Sequence, residues 1–70
     1  MDSLETIGEH IIHLSGQLNC LERRWLALIA EFDRRNGWAG PGIASCAHWL
    51  NWQCGIDLGT ARERLRVAHA

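Results

Sequence analysis

Cys46, His48 and Cys54 are the one grouping in this 70-residue chain made of the preferred ligands of zinc, thiolate and imidazole. Their spacing works against a metal. On a helix, positions two apart point about 200° away from each other, and eight residues separate two side chains by roughly 12 Å along the axis. One tetrahedral ion does not reach all three. They read as structural residues, the thiols acting as small apolar groups. His10 and His13, three apart, share a helix face and have the spacing for a metal held between two copies, but such a pair is more often a solvated face and is read as one. No nucleophile has a base beside it, since Ser15 falls in a helix body and Ser45 suits a helix cap. No catalytic, metal or cofactor-binding residue is assigned, and no cofactor is expected.

The elements that position these residues are dominated by one stretch. Leu4, Ile7, Ile11, Leu14, Leu18, Leu21, Trp25, Leu28 and Phe32 recur at alternating spacings of three and four, an unbroken heptad seam that places them on one stripe of a long α-helix. Asp2 followed by Glu5 has capping-box spacing and opens the helix, while Arg34, Arg35 and Asn36-Gly37 close it. Some thirty residues span roughly 45 to 50 Å, against roughly 28 Å for a compact globule of this length. The helix therefore either bends at Gly8 or Gly16 or leaves part of its seam for something else to cover, and the second is expected. Leu4, Ile7, Ile11, Leu14 and Leu18 are the candidate self-association residues.

Between Gly37 and Gly42 three glycines and a proline reverse the chain. Ser45 reads as the cap of a short helix closed by Gly55, with Cys46, Trp49, Leu50 and Cys54 on its apolar arc and Trp52 at the edge. Asp57 and Thr60 compete as caps for a third helix, in which Leu58, Ala61, Leu65 and Ala68 form the buried face and Thr60, Glu63, Arg64 and Val67 point away. The pattern stops at Ala70 without a cap and is read as part of a larger helical domain. The expected organisation is a single all-α unit over residues 1–70, partial in extent: a long helix over about 3–36, a loop 37–45, a helix over about 46–54 and a helix over about 58–70, the last two in a helix-turn-helix-like arrangement.

Composition narrows the function classes. A 47% hydrophobic content with four tryptophans is that of a chain built to bury a core and not of a disordered tail. The formal charge of -1 gives no global case for nucleic acid. There is no basic leader and no apolar run near the roughly 18 residues that a membrane span needs, so a cytoplasmic protein with no membrane partner is expected. Three cysteines in such a chain fit reduced, buried thiols better than a disulfide framework.

The one local signal for nucleic acid is the pair of short helices around Gly55-Ile56-Asp57, which has helix-turn-helix proportions. The second helix would turn Thr60, Arg62, Arg64 and Arg66 toward DNA. From Ser45 to Ala70 three Arg stand against Asp57 and Glu63, thin for phosphate neutralisation. A purely structural hairpin fits the same residues, and both readings stay open here.

Taken as a set, Leu28-Ile29-Ala30-Glu31-Phe32-Asp33, Gly37-Trp38, Ser45-Cys46-Ala47-His48-Trp49-Leu50 and the run Gly59 to Ala68 resemble the start of domain-of-unknown-function family 222. That is the N-terminal helical domain of many bacterial proteins ending in an HNH endonuclease domain. The resemblance implies further helices and a downstream nuclease, and no His-Asn-His arrangement occurs in these 70 residues, so no catalytic residue carries over. It implies a non-catalytic N-terminal module, DNA-associated or self-associating. The partners expected are DNA, a second copy, or the further helices.

Overall fold

The structure, a computed structural model, describes residues 3–70 and is all-α: α1 (Leu4–Arg34), α2 (Cys46–Cys54) and α3 (Leu58–Ala68). A long N-terminal helix is followed by two shorter ones. α1 runs without interruption through Gly8 and Gly16, so the expected alternative of a bend does not occur. At about 1.5 Å per residue it is a rod of roughly 46 Å, and it sets the molecular dimensions of 53 × 20 × 15 Å.

The start and stop of α1 differ from expectation by small steps with clear causes. Asp2, expected as the cap, lies outside the described residues; Ser3 is the N-cap, its Oγ accepting from the Thr6 amide at 3.1 Å. At the other end Arg35 is the C-cap and Asn36, at φ 53°, takes the left-handed position. The Gly37 amide then donates to Phe32 O at 2.9 Å and the Asn36 amide to Asp33 O at 3.0 Å, the paired bonds of a Schellman stop. Glycine is favoured at position 37 because a Cβ there would sit 2.3 Å from the Phe32 ring.

Asp33 then organises the return of the chain. Its Oδ1 accepts from the Trp38 indole at 2.9 Å, and its Oδ2 lies 2.8 Å from Nε2 of His69, just past the end of α3. One carboxylate thus holds the loop and the last helix to α1. Ser45 caps α2 through the His48 amide, and Gly55, at φ 70°, ends it. The Asn51 side-chain amide donates to Ile56 O at 2.7 Å across the turn. Asp57, and not Thr60, caps α3; both the amide and the hydroxyl of Thr60 donate to its carboxylate.

α3 lies against both α1 and α2. The centre is small and dense: Ala61 is fully buried and Leu50 almost so, with Ile29, Cys46 and Ala47 completing the cluster. Alanines at the contacts let the helix backbones approach closely, and the larger Phe32 and Trp49 close one side with ring centroids 4.5 Å apart. Three expectations about burial fail. Cys54 and Cys20 are exposed, leaving Cys46 as the one buried thiol, and Leu58 sits at the outer edge of α3, 39% exposed, because the chain enters the helix there and only Ala61, Leu65 and Ala68 reach the core side.

Candidate interaction surface

The short helices do not dock on the heptad seam. They dock beside it, on the stripe Glu22, Leu26, Ile29, Ala30 and Asp33, where Ile29 and Ala30 are buried and the others half-buried. A strict seven-residue repeat drifts by about 20° per heptad around a straight α-helix. By the second half of α1 the seam has therefore rotated away from the hairpin. Trp25 and Phe32 still touch the hairpin and are half-buried, while Leu21 and Leu28 face outward.

The result is one continuous apolar edge. Leu4, Ile7, Ile11, Leu14 and Leu18, the candidate self-association residues, are all exposed, between 43% for Ile7 and 88% for Leu4. Leu18, Leu21 and Trp25 line a shallow hollow of about 350 Å³, and this leads at Trp25 into a groove of about 550 Å³ whose walls include Leu28, Phe32, Trp49 and Leu50. Glu31, Arg35 and Cys54 add polar atoms to a groove that is otherwise apolar. Ile12, off the seam, is exposed as well.

The four residues expected to face DNA are mostly engaged within the protein. Thr60 is tied to Asp57. Arg64 does not point freely outward: its Nη1 lies 2.8 Å from Glu22 Oε1 on α1, a bridge from α3 back to the rod. Arg66 grips Glu63 with two bonds of 2.5 and 3.0 Å, which holds the Glu63 carboxyl below its ordinary range and raises the guanidinium. Among the described residues Arg62 alone of these arginines makes no ion pair.

The cysteine and histidine grouping does not come together as a site. Cys46 is in the core, Cys54 lines the groove, and Nδ1 of His48 accepts from the Ala44 amide at 3.1 Å. Burial, with a smaller contribution from Asp33, pushes the Cys46 thiol up to about 11, which keeps it a neutral packing group. His10 and His13 are exposed on α1. Among the described residues no three His, Cys, Asp or Glu side chains converge as a metal site would require, and no helix is long and apolar enough to cross a membrane.

Two features escaped the reading of the sequence. The hairpin's docking stripe was masked by the stronger heptad signal, although Leu26, Ile29, Ala30 and Asp33 also follow helical spacing. The groove requires the relative placement of α1 and α2, which no local pattern carries. The chain matches no family model, no curated protein and no solved structure.

Proposed function

We propose that this chain is a non-catalytic helical interaction module, of the kind the family resemblance implies for the N-terminus of HNH-endonuclease-type bacterial proteins, and that its contact surface is the apolar edge of α1. The observation carrying the proposal is that edge itself: a row of leucines and isoleucines along the whole rod, left in water by a hairpin that docks beside it. Burying each such side chain is worth about 1.5 to 3 kcal/mol, and contiguous apolar patches of this extent mark interaction surfaces. The residues that carry the resemblance agree with a role built on fold. Ser45 caps α2 and Cys46, Ala47, Leu50 and Ala61 make the core, so in this chain these residues serve capping and packing.

The test pairs an environment-sensitive apolar dye with sedimentation, comparing the chain with a Leu14→Glu, Leu18→Glu double variant. These positions touch neither short helix, so the hairpin stays folded. The proposal expects the variant to change either the mass or the dye bound. No difference in either measurement removes the edge as a contact surface.

Association with DNA is a second reading, favoured by the exposed Arg62 on the helix that follows the turn. A gel shift at low salt compares the chain with Arg62→Ala and Arg64→Ala. Loss of binding in the first with retention in the second is expected, because Arg64 is already paired with Glu22. Equal binding by all three proteins removes the reading.

A further inference from the structure

We infer that the occupant of the α1 edge is a second copy of this chain, lying antiparallel, so that the first half of each rod fills the groove beside the other's hairpin. The inference rests on the interaction-module reading above and adds the partner and its direction.

Area supports a copy as sufficient partner. The exposed parts of Leu4, Ile7, Ile11, Leu14, Leu18, Leu21 and Leu28 present on the order of 800 Å², which is about what each side of a standard stable interface buries. The positions flanking the seam in the first half are Gly8, His10, Ser15 and Gln17, with no carboxylate or guanidinium to desolvate as the rods meet.

Charge favours opposed directions. Residues 1–21 contain Asp2, Glu5 and Glu9 and no Arg or Lys; every Arg lies in residues 22–70, where the carboxylates are Glu22, Glu31, Asp33, Asp57 and Glu63. A parallel pair stacks the two acidic arms on each other, whereas an antiparallel pair lays each on residues 22–35, where four Arg stand against Glu22, Glu31 and Asp33. The two helix dipoles also oppose favourably.

Shape favours the same direction. The hairpin covers the side of α1 that carries Glu22, Ile29 and Asp33. Continued along the straight rod into the first half, that side carries Leu4, Ile11 and Ser15, with Gly8 and Ile12 next to them. In an antiparallel pair equivalent sides face each other, so each hairpin meets the small Gly8 and Ser15 and the exposed Ile11 and Ile12 of the other copy. In a parallel pair it meets the opposite side at its own level, which carries Arg24 and Glu31. Register follows from the flanks: setting Ile11 against Leu28 of the second copy brings His10 to Glu31 and Leu14 to Trp25, whereas sliding by one heptad brings His10 to Arg24.

The experiment combines sedimentation across concentration with spin-label distances on a Glu5→Cys variant carrying Cys20→Ser and Cys54→Ser. A concentration-dependent doubling of mass is expected, with a label separation above about 40 Å, since the two labels sit near opposite ends of the pair. His10→Glu is expected to weaken the dimer at least about fivefold, and adding Glu31→Arg to recover it. A dimer with labels about 20 Å apart, or no recovery in the double variant, overturns the antiparallel register. A monomer at every concentration whose dye binding is lost in the Leu14→Glu, Leu18→Glu variant overturns the second copy while leaving the edge a contact surface. A monomer indifferent to those substitutions removes both.

Discussion

The two halves of α1 share one helix and one heptad repeat, yet they have opposite surroundings. From Glu22 to Arg34 the rod is clamped by α3 through Arg64, by the loop through Trp38 and by the core through Ile29 and Ala30. From Leu4 to Leu21 it touches neither short helix, and its large apolar side chains are all exposed. The difference teaches that regular spacing specifies a helix and an apolar edge but not what covers that edge. Most of a helix's stability in a protein comes from packing of its apolar face and not from intrinsic propensity. The first half gains its order from continuity with an anchored second half and from whatever its edge meets.

The sharpest contrast between the halves is obtained by removing the same atoms from each. Leu50→Ala, in the core, is expected to cost about 2 to 5 kcal/mol, whereas Leu14→Ala, on the bare edge, costs less than about 1 kcal/mol in the dilute chain. Urea unfolding at low protein concentration measures both, and equal losses would erase the distinction. Next in size is Gly37→Ala. The new methyl displaces the Phe32 ring from Trp49, at a cost of about 1 to 3 kcal/mol, confined to the anchored half and read as a lowered urea midpoint.

A smaller effect comes from pH. Cys46 in the unfolded chain ionises near its ordinary 9.0, whereas in the fold burial holds the proton to about 11. With the folded value the higher, its contribution is complete below pH 9 and is lost as pH rises from 9 toward 11, on the order of 2 kcal/mol. The chain has no Lys or Tyr to titrate in that window. In a Cys20→Ser, Cys54→Ser background, Cys46→Ala is expected to flatten the alkaline decline in stability; an unchanged slope would mean that the thiol is not held neutral by the core. Smallest is the half-exposed Arg64–Glu22 pair, for which a double-mutant cycle is expected to give at most about 1 kcal/mol.

Much of this architecture is legible in the sequence. The rod, the turn at Gly37, the cap Ser45, the stop at Gly55 and the place of Trp52 at the edge of its helix follow from side-chain chemistry that acts over three or four residues, whereas the sequence leaves Asp57 and Thr60 both open as the cap of α3. What was not legible depends on pairs far apart in the chain. That Arg64 would leave the outer face of α3 for Glu22, and that Asp33 would hold both Trp38 and His69, are consequences of how three helices sit together. The site suffered most for the same reason: four residues of suitable type for DNA turned out to include two whose charge is matched inside the molecule, while the groove at Trp25 and Phe32 had no local sign.

All the indoles belong to one end of this molecule. Trp25, Trp38 and Trp49 surround the packed helices and Trp52 stands on α2, so intrinsic fluorescence reports on the anchored end and carries no signal from residues 4–21. Far-ultraviolet circular dichroism, by contrast, weights the rod most heavily. The chain thus contains two separate optical channels, and melting followed in both at once distinguishes fraying of the free arm from collapse of the knot that anchors it.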